Sequence, residues 1–372
     1  MKYKILFSVL AILFVFLLAS GTAFAAPVEI RTTDDLMKID DSAANLSLDY
    51  ILMNDLDFTG RTFMPIGNSS HPFTGTFNGN NYTISNIAFS DEEMYYVGLF
   101  GHASNAEFND ILLKNVSMSG MDPVGGLLGY GQYVSIKGCS IENREYCPRI
   151  HGKSSVGGLA GVLYHSSVSN SYAATNVTSE LSGLSTHVGG LVGKMYNSSV
   201  SESYATGNVE GTGGLSSLYF FNAGGLVGHM ASSSASNCYA TGIAIGNFNY
   251  SFIGGFVGSM NNSTVSTSYA TGNMPSNTNG NLIINDVSID PIGDGFLGVS
   301  WNNGTVTDSF YIGSPNSNNT SKGRFVTFTE LRNISTFTTV DSYLSAPWNI
   351  SSSPNSNTIW YIDDGNSYPQ LN

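Results

Sequence analysis

Histidine has the widest chemistry of the residues in this sequence, because imidazole can bind a metal ion or act as a general base near neutral pH. The six histidines are at positions 71, 102, 151, 165, 187 and 229. A zinc protease helix needs two histidines four residues apart with a glutamate after the first, and none of these intervals fits. His102 and His229 stand where other copies of an internal repeat carry tyrosine, valine, lysine or serine. Such variety predicts an exposed position and not a metal ligand.

Carboxylates are the next candidates for chemistry. Asp55 and Asp57 in "NDLDF" could bind calcium together with Asn54, because calcium prefers oxygen ligands. The alternative is that the two aspartates accept hydrogen bonds from turn backbone, and we expect this commoner role. The glutamates Glu180, Glu202 and Glu210 fall at different positions of the repeat. They predict no pair of carboxylates converging from neighbouring repeats, as polysaccharide hydrolysis requires.

Nucleophile and phosphate-binding patterns also fail to appear. The sequence has no G-x-S-x-G, and "HGKSS" at 151 has Cys147 where a phosphate loop needs its first glycine. Acidic residues outnumber basic ones by 27 to 14, giving a net charge of -13, which excludes the extended basic face that nucleic acid binding needs. We therefore predict no catalytic residue, no cofactor and no nucleic acid partner.

The elements that would have to position any site are internal repeats. A glycine-pair motif starts at residues 97, 124, 156, 188, 223, 253 and 292, and is written "VGGLVG" at 188. In the four copies from 156 to 253 a tyrosine follows 16 residues after the motif begins, whereas the last segment of each copy varies in length. Repeats of 20 to 50 residues are typical of solenoids, propellers and arrays. Each copy is therefore a fixed block followed by one variable loop.

The residues of each block favour β-strands. They are short, β-branched or glycine, without proline and without helical periodicity. We predict an all-β fold, a β-helix of about seven coils with three strands each, in which coils stack at about 4.8 Å. A propeller is the alternative, although it prefers four strands in longer and more regular units.

One column of aromatic residues could contact a ligand. A kink at Glu202 would turn Ser203 and Ala205 inward and Tyr204 outward, since the equivalent positions to Glu202 are polar in every copy. Two cysteines, Cys139 and Cys238, replace Ser203 in its column, are predicted to be buried, and lie too far apart to pair. The outward column could stack on sugar rings or on a partner, or its members could stabilise the sheet by stacking on one another. The column comprises Tyr172, Tyr204, Tyr239, Tyr269 and Phe310.

The units "GGLVG" and "SYATGNV" resemble the GLUG repeat, which is found in exported prokaryotic surface proteins and in the stalks of some adhesins and immunoglobulin A proteases. Residues 26–96, with "NDLDF" and "FTGTFNG", resemble the cap and first strands that precede such arrays. Residues 97–320 hold the repeats, and 321–372, with "IWYIDDGNSYPQL", resemble the segment that ends them. We predict a short helix with Thr33 as its N-cap and with Leu36 and Ile39 on its buried side, and an aromatic-rich C-terminal cap.

The N-terminus predicts export. Residues 1–25 combine Lys2 and Lys4, an apolar run and "AFA", as a cleaved signal peptide does, and an uncleaved membrane anchor is the alternative. Fourteen Asn-x-Ser/Thr sequons are compatible with a glycosylated secreted or cell-surface protein. The candidates for glycosylation are Asn197, Asn249, Asn262, Asn303 and Asn319.

The sequence thus predicts a noncatalytic adhesion or interaction module, or a structural component of the envelope. Its partner would be a surface glycan, a protein or another copy of the chain, and membrane contact would come through an uncleaved N-terminal segment. The variable loops 210–222 and 275–290 are the expected contact sites, because solenoids present insertions along one edge. A polysaccharide-active β-helical lyase or hydrolase is the alternative function.

Overall fold

A computed structural model describes residues 25–143, 149–180, 185–212, 220–246, 250–272, 282–284, 287–289, 292–312 and 323–372. The chain is all-β and winds into a solenoid whose coils stack as parallel sheets, as predicted. Within the described residues no helix has the length and hydrophobicity needed to cross a bilayer. Of the predicted signal peptide, residues 1–25, all but the last residue lie outside the described residues.

One coil shows how the sequence forms the solenoid. Residues 185–212 give five strands, Ser185–Gly189, Val192–Tyr196, Ser199–Ser201, Tyr204–Ala205 and Val209–Thr212, and we number the five sheets to which they belong 1 to 5 in this order. The prediction of three strands per coil is wrong. Asn197 and Glu202 have φ of 45° and 46°. Glu202 divides the segment "NSSVSESYA", which the sequence pattern suggested was one strand, into Ser199–Ser201 and Tyr204–Ala205. The kink predicted at Glu202 is confirmed.

Every other strand of the solenoid repeats one of these five positions. Sheet 1 contains Val124–Gly125, Ser155–Gly157, Ser185–Gly189, Phe220–Gly224, Tyr250–Gly254 and Ile292–Asp294. Sheet 2 contains Phe100–Ser104, Leu128–Gln132, Ala160–Tyr164, Val192–Tyr196, Val227–Ala231, Val257–Asn261 and Leu297–Trp301. Sheet 3 contains Val28–Ile30, Tyr50–Leu52, Thr76–Asn78, Glu107–Asn109, Ser135–Lys137, Ser167–Ser169, Ser199–Ser201, Ser234–Ser236, Thr264–Ser266 and Thr305–Thr307.

Sheet 4 contains Leu56–Asp57, Thr83–Ser85, Leu112–Lys114, Ser140–Glu142, Tyr172–Ala174, Tyr204–Ala205, Tyr239–Ala240, Tyr269–Ala270, Phe310–Tyr311 and Arg324–Phe325. Sheet 5 contains Ala88–Ser90, Ser117–Ser119, Ile150–Gly152, Val177–Glu180, Val209–Thr212 and Ala244–Gly246. Leu282–Ile284 and Val287–Ile289 form a separate antiparallel pair. Each of the seven glycine-pair motifs therefore leads into one strand of sheet 2, whereas sheets 3 and 4 begin in the segment before the repeats.

The glycine pair marks the corner between sheets 1 and 2. A Cβ added to Gly190 would lie 2.1 Å from the carbonyl oxygen of Gly225 in the next coil, and one added to Gly225 would lie 2.1 Å from that of Gly255. Backbone stacks directly on backbone here, so a side chain has no room. Beside this corner Leu191 is fully buried and donates its N–H to the carbonyl of Leu226 at 2.9 Å.

The repeated serines satisfy buried backbone groups. Ser198 Oγ accepts the N–H of Ser166 at 3.1 Å and donates to the carbonyl of Tyr196 at 2.7 Å. Ser203 does the same in the kink, where its hydroxyl accepts the N–H of Ser171 at 3.1 Å and donates to Ser201. Each coil thus supplies acceptors for the N–H groups of its neighbour, because a buried N–H without a partner is costly. Ser203 and Ala205 are fully buried, as predicted.

Both ends of the solenoid are covered. An α-helix, Thr33–Met37, is followed by 3-10 helices Lys38–Asp41 and Asn45–Ser47. The N-cap is Thr32 and not the predicted Thr33, because Thr32 and Asp35 form a reciprocal capping box, while Thr33 is buried. Leu36 and Ile39 are buried as predicted.

The C-terminal cap contains a 3-10 helix, Glu330–Arg332, an α-helix, Ser335–Thr338, and a three-stranded sheet of Ile350–Ser351, Trp360–Tyr361 and Gln370–Leu371. Its core holds the buried aromatic side chains of Phe337, Trp348 and Trp360, the bulk that the sequence suggested. Cys139 and Cys238 are buried free thiols, as predicted, and Cys147 lies outside the described residues.

Candidate functional site

The two aspartates considered for calcium have turn and strand partners. Asp55 accepts the backbone N–H of Thr83 at 2.8 Å, and Asp57 accepts that of Thr59 at 2.9 Å and the amide of Asn86 at 2.8 Å. The bonds to Thr83 and Asn86 join adjacent turns of the segment before the repeats, and the hydrogen bonds from Asn86 and Thr59 hold the pKa of Asp57 below its usual value. The aspartates thus hydrogen-bond backbone groups, the role that we expected for them.

The exposed position predicted for His102 and His229 is wrong. Both side chains are half-buried on the outer face of sheet 2, where Lys194 precedes His229 in the adjacent coil. Burial, reinforced by the Lys194 charge, lowers the pKa of His229 to about 4. His229 contacts Ser259 at 2.8 Å and packs against His187, whose ring centre lies 5.0 Å away. These histidines are neutral at physiological pH and contribute to packing between coils.

The aromatic column forms a continuous stack. Tyr172 and Tyr204 lie 4.7 Å apart with 2° between their planes, Tyr204 and Tyr239 lie 4.5 Å apart with 5°, and Tyr239 and Tyr269 lie 5.1 Å apart with 6°. Each of the two central rings is covered on both faces by its neighbours. A sugar ring packs on an aromatic face, so Tyr204 and Tyr239 offer it no such surface.

The C-terminal cap covers the far end of the column. Tyr269 is 2% exposed and donates its hydroxyl to the carbonyl of Pro369 at 2.7 Å, and Phe310 is fully buried against Phe337 and Trp348. Tyr269 and Phe310 thus keep the register of the outward column, but the cap buries them and leaves them no surface for a ligand. The sequence pattern could not reveal this, because the covering residues lie up to 100 positions away. The alternative, stabilisation by mutual stacking, fits this geometry better than ligand contact.

A different surface has the shape of a binding site. An open groove of about 790 Å³ follows the corner between sheets 2 and 3 across six coils, and we call it the corner groove. At 4.8 Å per coil it extends roughly 24 Å along the solenoid. The residues at its floor are Asn105, Tyr133, His165, Asn197, Ser232 and Asn262, each with a left-handed backbone. Its wall is formed by serines of sheet 3, including Ser135, Ser167 and Ser199.

Tyr133 stands out among the residues at the corner. Its φ is 55°, a conformation that asparagine and histidine adopt several times more readily than a bulky aromatic residue does. Its side chain is 52% exposed, and one ring face stacks on His165 at 4.9 Å. On its other side is the shorter Asn105, which turns its amide onto Ser104 at 3.1 Å. The corner is left-handed in all six coils, and at this one it carries an exposed tyrosine ring.

The corner groove offers hydrogen bonding without charge. Among the described residues that line it, Glu107 alone carries a fixed charge, and the others present hydroxyl, amide, phenol and imidazole groups. This combination of neutral donors and acceptors with one open aromatic face suits a neutral chain rich in hydroxyl groups.

Two of the predicted glycosylation sites lie in the corner groove. Asn197 and Asn262 are exposed at its floor, and Asn303 is exposed near its end. Asn249 and Asn319 lie outside the described residues, as do most of the variable loops 210–222 and 275–290.

A second cleft brings together charged side chains whose proximity the sequence pattern did not predict. It measures about 570 Å³ on the outer side of sheet 5 and is lined by Glu92, Arg149, His151, Lys153 and Glu180. Of the three glutamates considered in the sequence, only Glu180 lines this cleft, and Glu92 comes from the segment before the repeats. Glu92 pairs with Lys153 at 3.7 Å and accepts the hydroxyl of Ser119 at 2.6 Å. Glu92 follows the strand Ala88–Ser90, which is three positions along sheet 5 from Val177–Glu180, about 14 Å by strand spacing.

The repeat unit can now be compared with known proteins. Residues 185–210, which span the coil described above, match the model of the GLUG motif. This coil is a GLUG motif. The resemblance inferred from the sequence is confirmed, and within the described residues three other coils, 124–152, 155–180 and 220–246, have the same five strands as the GLUG coil.

Longer similarities extend over parts of the chain. A 153-residue stretch is 31% identical to halomucin from Haloquadratum walsbyi, covering 38% of this chain and 2% of halomucin. The chain thus spans a very small part of that relative. A crystal structure from Bacteroides ovatus, named a candidate immunoglobulin A1 protease, aligns over 76% of this chain and 84% of its own with a TM-score of 0.50 and 17% identity. At that identity the similarity establishes the β-helical fold alone.

Proposed function

We propose that this protein is a noncatalytic interaction module, located outside the cell or at its surface, that binds a neutral glycan chain along the corner groove. The observation that carries the proposal is Tyr133, an aromatic side chain held at a left-handed position with one ring face open in a neutral groove. The GLUG motif and the similarity to part of halomucin support the extracellular location.

The length of the groove supports a chain-like ligand. Six coils present the same corner at regular spacing, so a polymer lying parallel to the solenoid would meet repeated amide and hydroxyl groups. Ligand pockets usually combine an apolar surface with a few placed polar groups, and Tyr133 with His165 provides the apolar part. A single sugar would gain little binding free energy from such an extended surface.

A noncatalytic role is supported by the distribution of carboxylates. Glycoside hydrolases place two carboxyl groups within about 10 Å of each other. The corner groove has one acid, Glu107, and in the charged cleft Glu92 is paired with Lys153 while Glu180 leaves a strand about 14 Å away. Among the described residues of these two surfaces, this distribution favours a noncatalytic role over that of a hydrolase.

Asparagine variants provide the test, since asparagine already occupies the same corner position at 105, 197 and 262. The chain would be produced without glycosylation and titrated with a panel of soluble neutral polysaccharides. We expect Tyr133→Asn to weaken binding up to about 10-fold and the double variant with His165→Asn to weaken it further, because each ring contributes about 0.5 to 1.5 kcal/mol.

The control is Tyr95→Asn, which removes an exposed tyrosine outside the corner groove. It should bind like the unmodified chain. Equal affinity of the double variant and the unmodified chain would show that the groove is not the site. Release of reducing ends from a bound polysaccharide would show that the protein is an enzyme. A glycan attached at Asn197 should block the groove, so glycosylated protein should bind more weakly.

A further inference from the structure

A small cleft lies between the tyrosine stack and the C-terminal cap, away from the corner groove. It has a volume of about 360 Å³, and we call it the cap cleft. One side is formed by Tyr239, Thr206 and Thr241 of the solenoid, and the other by Arg332, Tyr368 and Gln370 of the cap. Two separately built parts of the molecule thus contribute facing side chains.

Arg332 is the unusual residue of the cap cleft. Its guanidinium lies over the ring of Tyr368, 5.0 Å from the ring centre, and it takes part in none of the ion pairs formed among the described residues. Stacking occupies the flat face of a guanidinium and leaves the N–H donors in its plane free. Those donors match the two oxygens of a carboxylate.

The backbone at this position is fixed. The carbonyl of Arg332 accepts the N–H of Gly365 at 2.6 Å, and the adjacent Leu331 is fully buried in the core of the cap. On the facing side Tyr239 is held by ring contacts with Tyr204 and Tyr269. The groups of the cap cleft are therefore positioned before any ligand arrives, which reduces the entropy lost on binding.

The cap cleft also differs in charge from the rest of the molecule. The chain carries a net charge of -13, yet the described residues lining this cleft include Arg332 and no carboxylate. The other polar groups that line the cleft are neutral: the hydroxyl groups of Thr206, Thr241 and Ser367 and the amide of Gln370. A ligand that carries one carboxylate and several hydroxyl groups would satisfy both features.

We infer that the cap cleft binds an acidic sugar of the uronic acid class. Its carboxylate accepts two hydrogen bonds from the Arg332 guanidinium, and its ring hydroxyls bond the threonines and Gln370. This site differs from the corner groove in position, size and charge, and so the two bind different classes of saccharide.

The inference is tested by isothermal titration calorimetry of the full chain with D-galacturonate. D-galactose, which lacks the carboxylate, and acetate, which lacks the sugar ring, are the control ligands. We expect galacturonate to bind more tightly than either of the two controls. Arg332→Gln should weaken its binding about 10- to 100-fold, as expected for loss of charge-assisted hydrogen bonds. The affinity of Arg332→Lys for galacturonate should lie between those of the unmodified chain and Arg332→Gln, because an ammonium group keeps the charge but cannot form the paired contact.

Two further variants separate the interpretations. Thr241→Val keeps the side-chain shape and should weaken galacturonate binding without affecting acetate binding. Arg149→Gln removes an arginine of the second cleft that also forms no ion pair among the described residues, and it should leave galacturonate binding unchanged. Equal affinity for acetate and galacturonate, or full binding by Arg332→Gln, would overturn the inference. Tyr133→Asn should not alter galacturonate binding, so failure of the corner groove proposal remains distinguishable from failure of this one.

Discussion

Replacing Tyr204 by alanine tests whether the tyrosine stack stabilises the solenoid or contacts a ligand. Complete loss of a buried large aromatic side chain costs about 3 to 5 kcal/mol. Because Tyr204 is half-buried, the loss of its buried surface costs only about 2 kcal/mol. The alanine variant also loses the stacking contacts on both faces of the ring, at 4.7 and 4.5 Å. Each such pair adds about 0.5 to 1.5 kcal/mol. We expect the free energy of unfolding to fall by about 3 to 5 kcal/mol.

The assay is urea unfolding followed by circular dichroism, with glycan binding measured on the same samples. Tyr204→Phe is the matched variant, because it keeps both stacking contacts and should lose at most about 1 kcal/mol. Neither variant should change polysaccharide affinity while the protein is folded. A loss of affinity in Tyr204→Ala at nearly unchanged stability would refute the structural role and restore the ligand-contact interpretation of the column.

Three other predictions concern the packing of the coils. Gly190→Ala should cost about 1 to 3 kcal/mol in the same urea assay, because its Cβ would lie 2.1 Å from Gly225 oxygen; Gly60→Ala, at an open glycine, is the control and should cost about 1 kcal/mol. Cys238→Ser should raise stability by about 1 kcal/mol by offering Ser203 N–H the hydroxyl acceptor that other coils supply, and an unchanged urea midpoint would contradict this. Burial lowers the folded-state pKa of His229 to about 4 from 6.5, so the unfolded chain takes up a proton first as the pH falls. Stability should therefore drop by about 2 kcal/mol between pH 7 and 5, and His229→Ser, copying Ser259, should lose less.

The repeat architecture was predictable because it depends on contacts between equivalent residues. The glycine-pair motifs recur in the sequence, and each leads into one strand of sheet 2. The polar residues at the position of Glu202 indicated the kink, and the small residues beside it indicated burial. The five-strand coil was not predictable in the same way. Strands of two or three residues are too short to show an alternating pattern, and Asn197 did not signal its left-handed backbone.

The candidate sites depend on residues that are distant in the sequence. Tyr133 and His165 come together because coils stack 32 residues apart, and no local pattern marks Tyr133 as left-handed. Tyr269 is buried under the cap, where its hydroxyl donates to the carbonyl of Pro369. Arg332 also belongs to the cap and lines the same cleft as Tyr239 and Tyr269. A clue was present in the repeat alignment, where tyrosine and histidine replace asparagine or serine at one column of the corner.

Hydrogen–deuterium exchange with and without a bound neutral polysaccharide tests the central claim most directly, because it locates the ligand on the whole chain. We predict slower exchange in peptides containing Tyr133, His165 and Asn197, with no change around Tyr204 beyond that of its corner neighbours. Protection confined to the variable loops 210–222 and 275–290, with the corner peptides unchanged, would contradict the account.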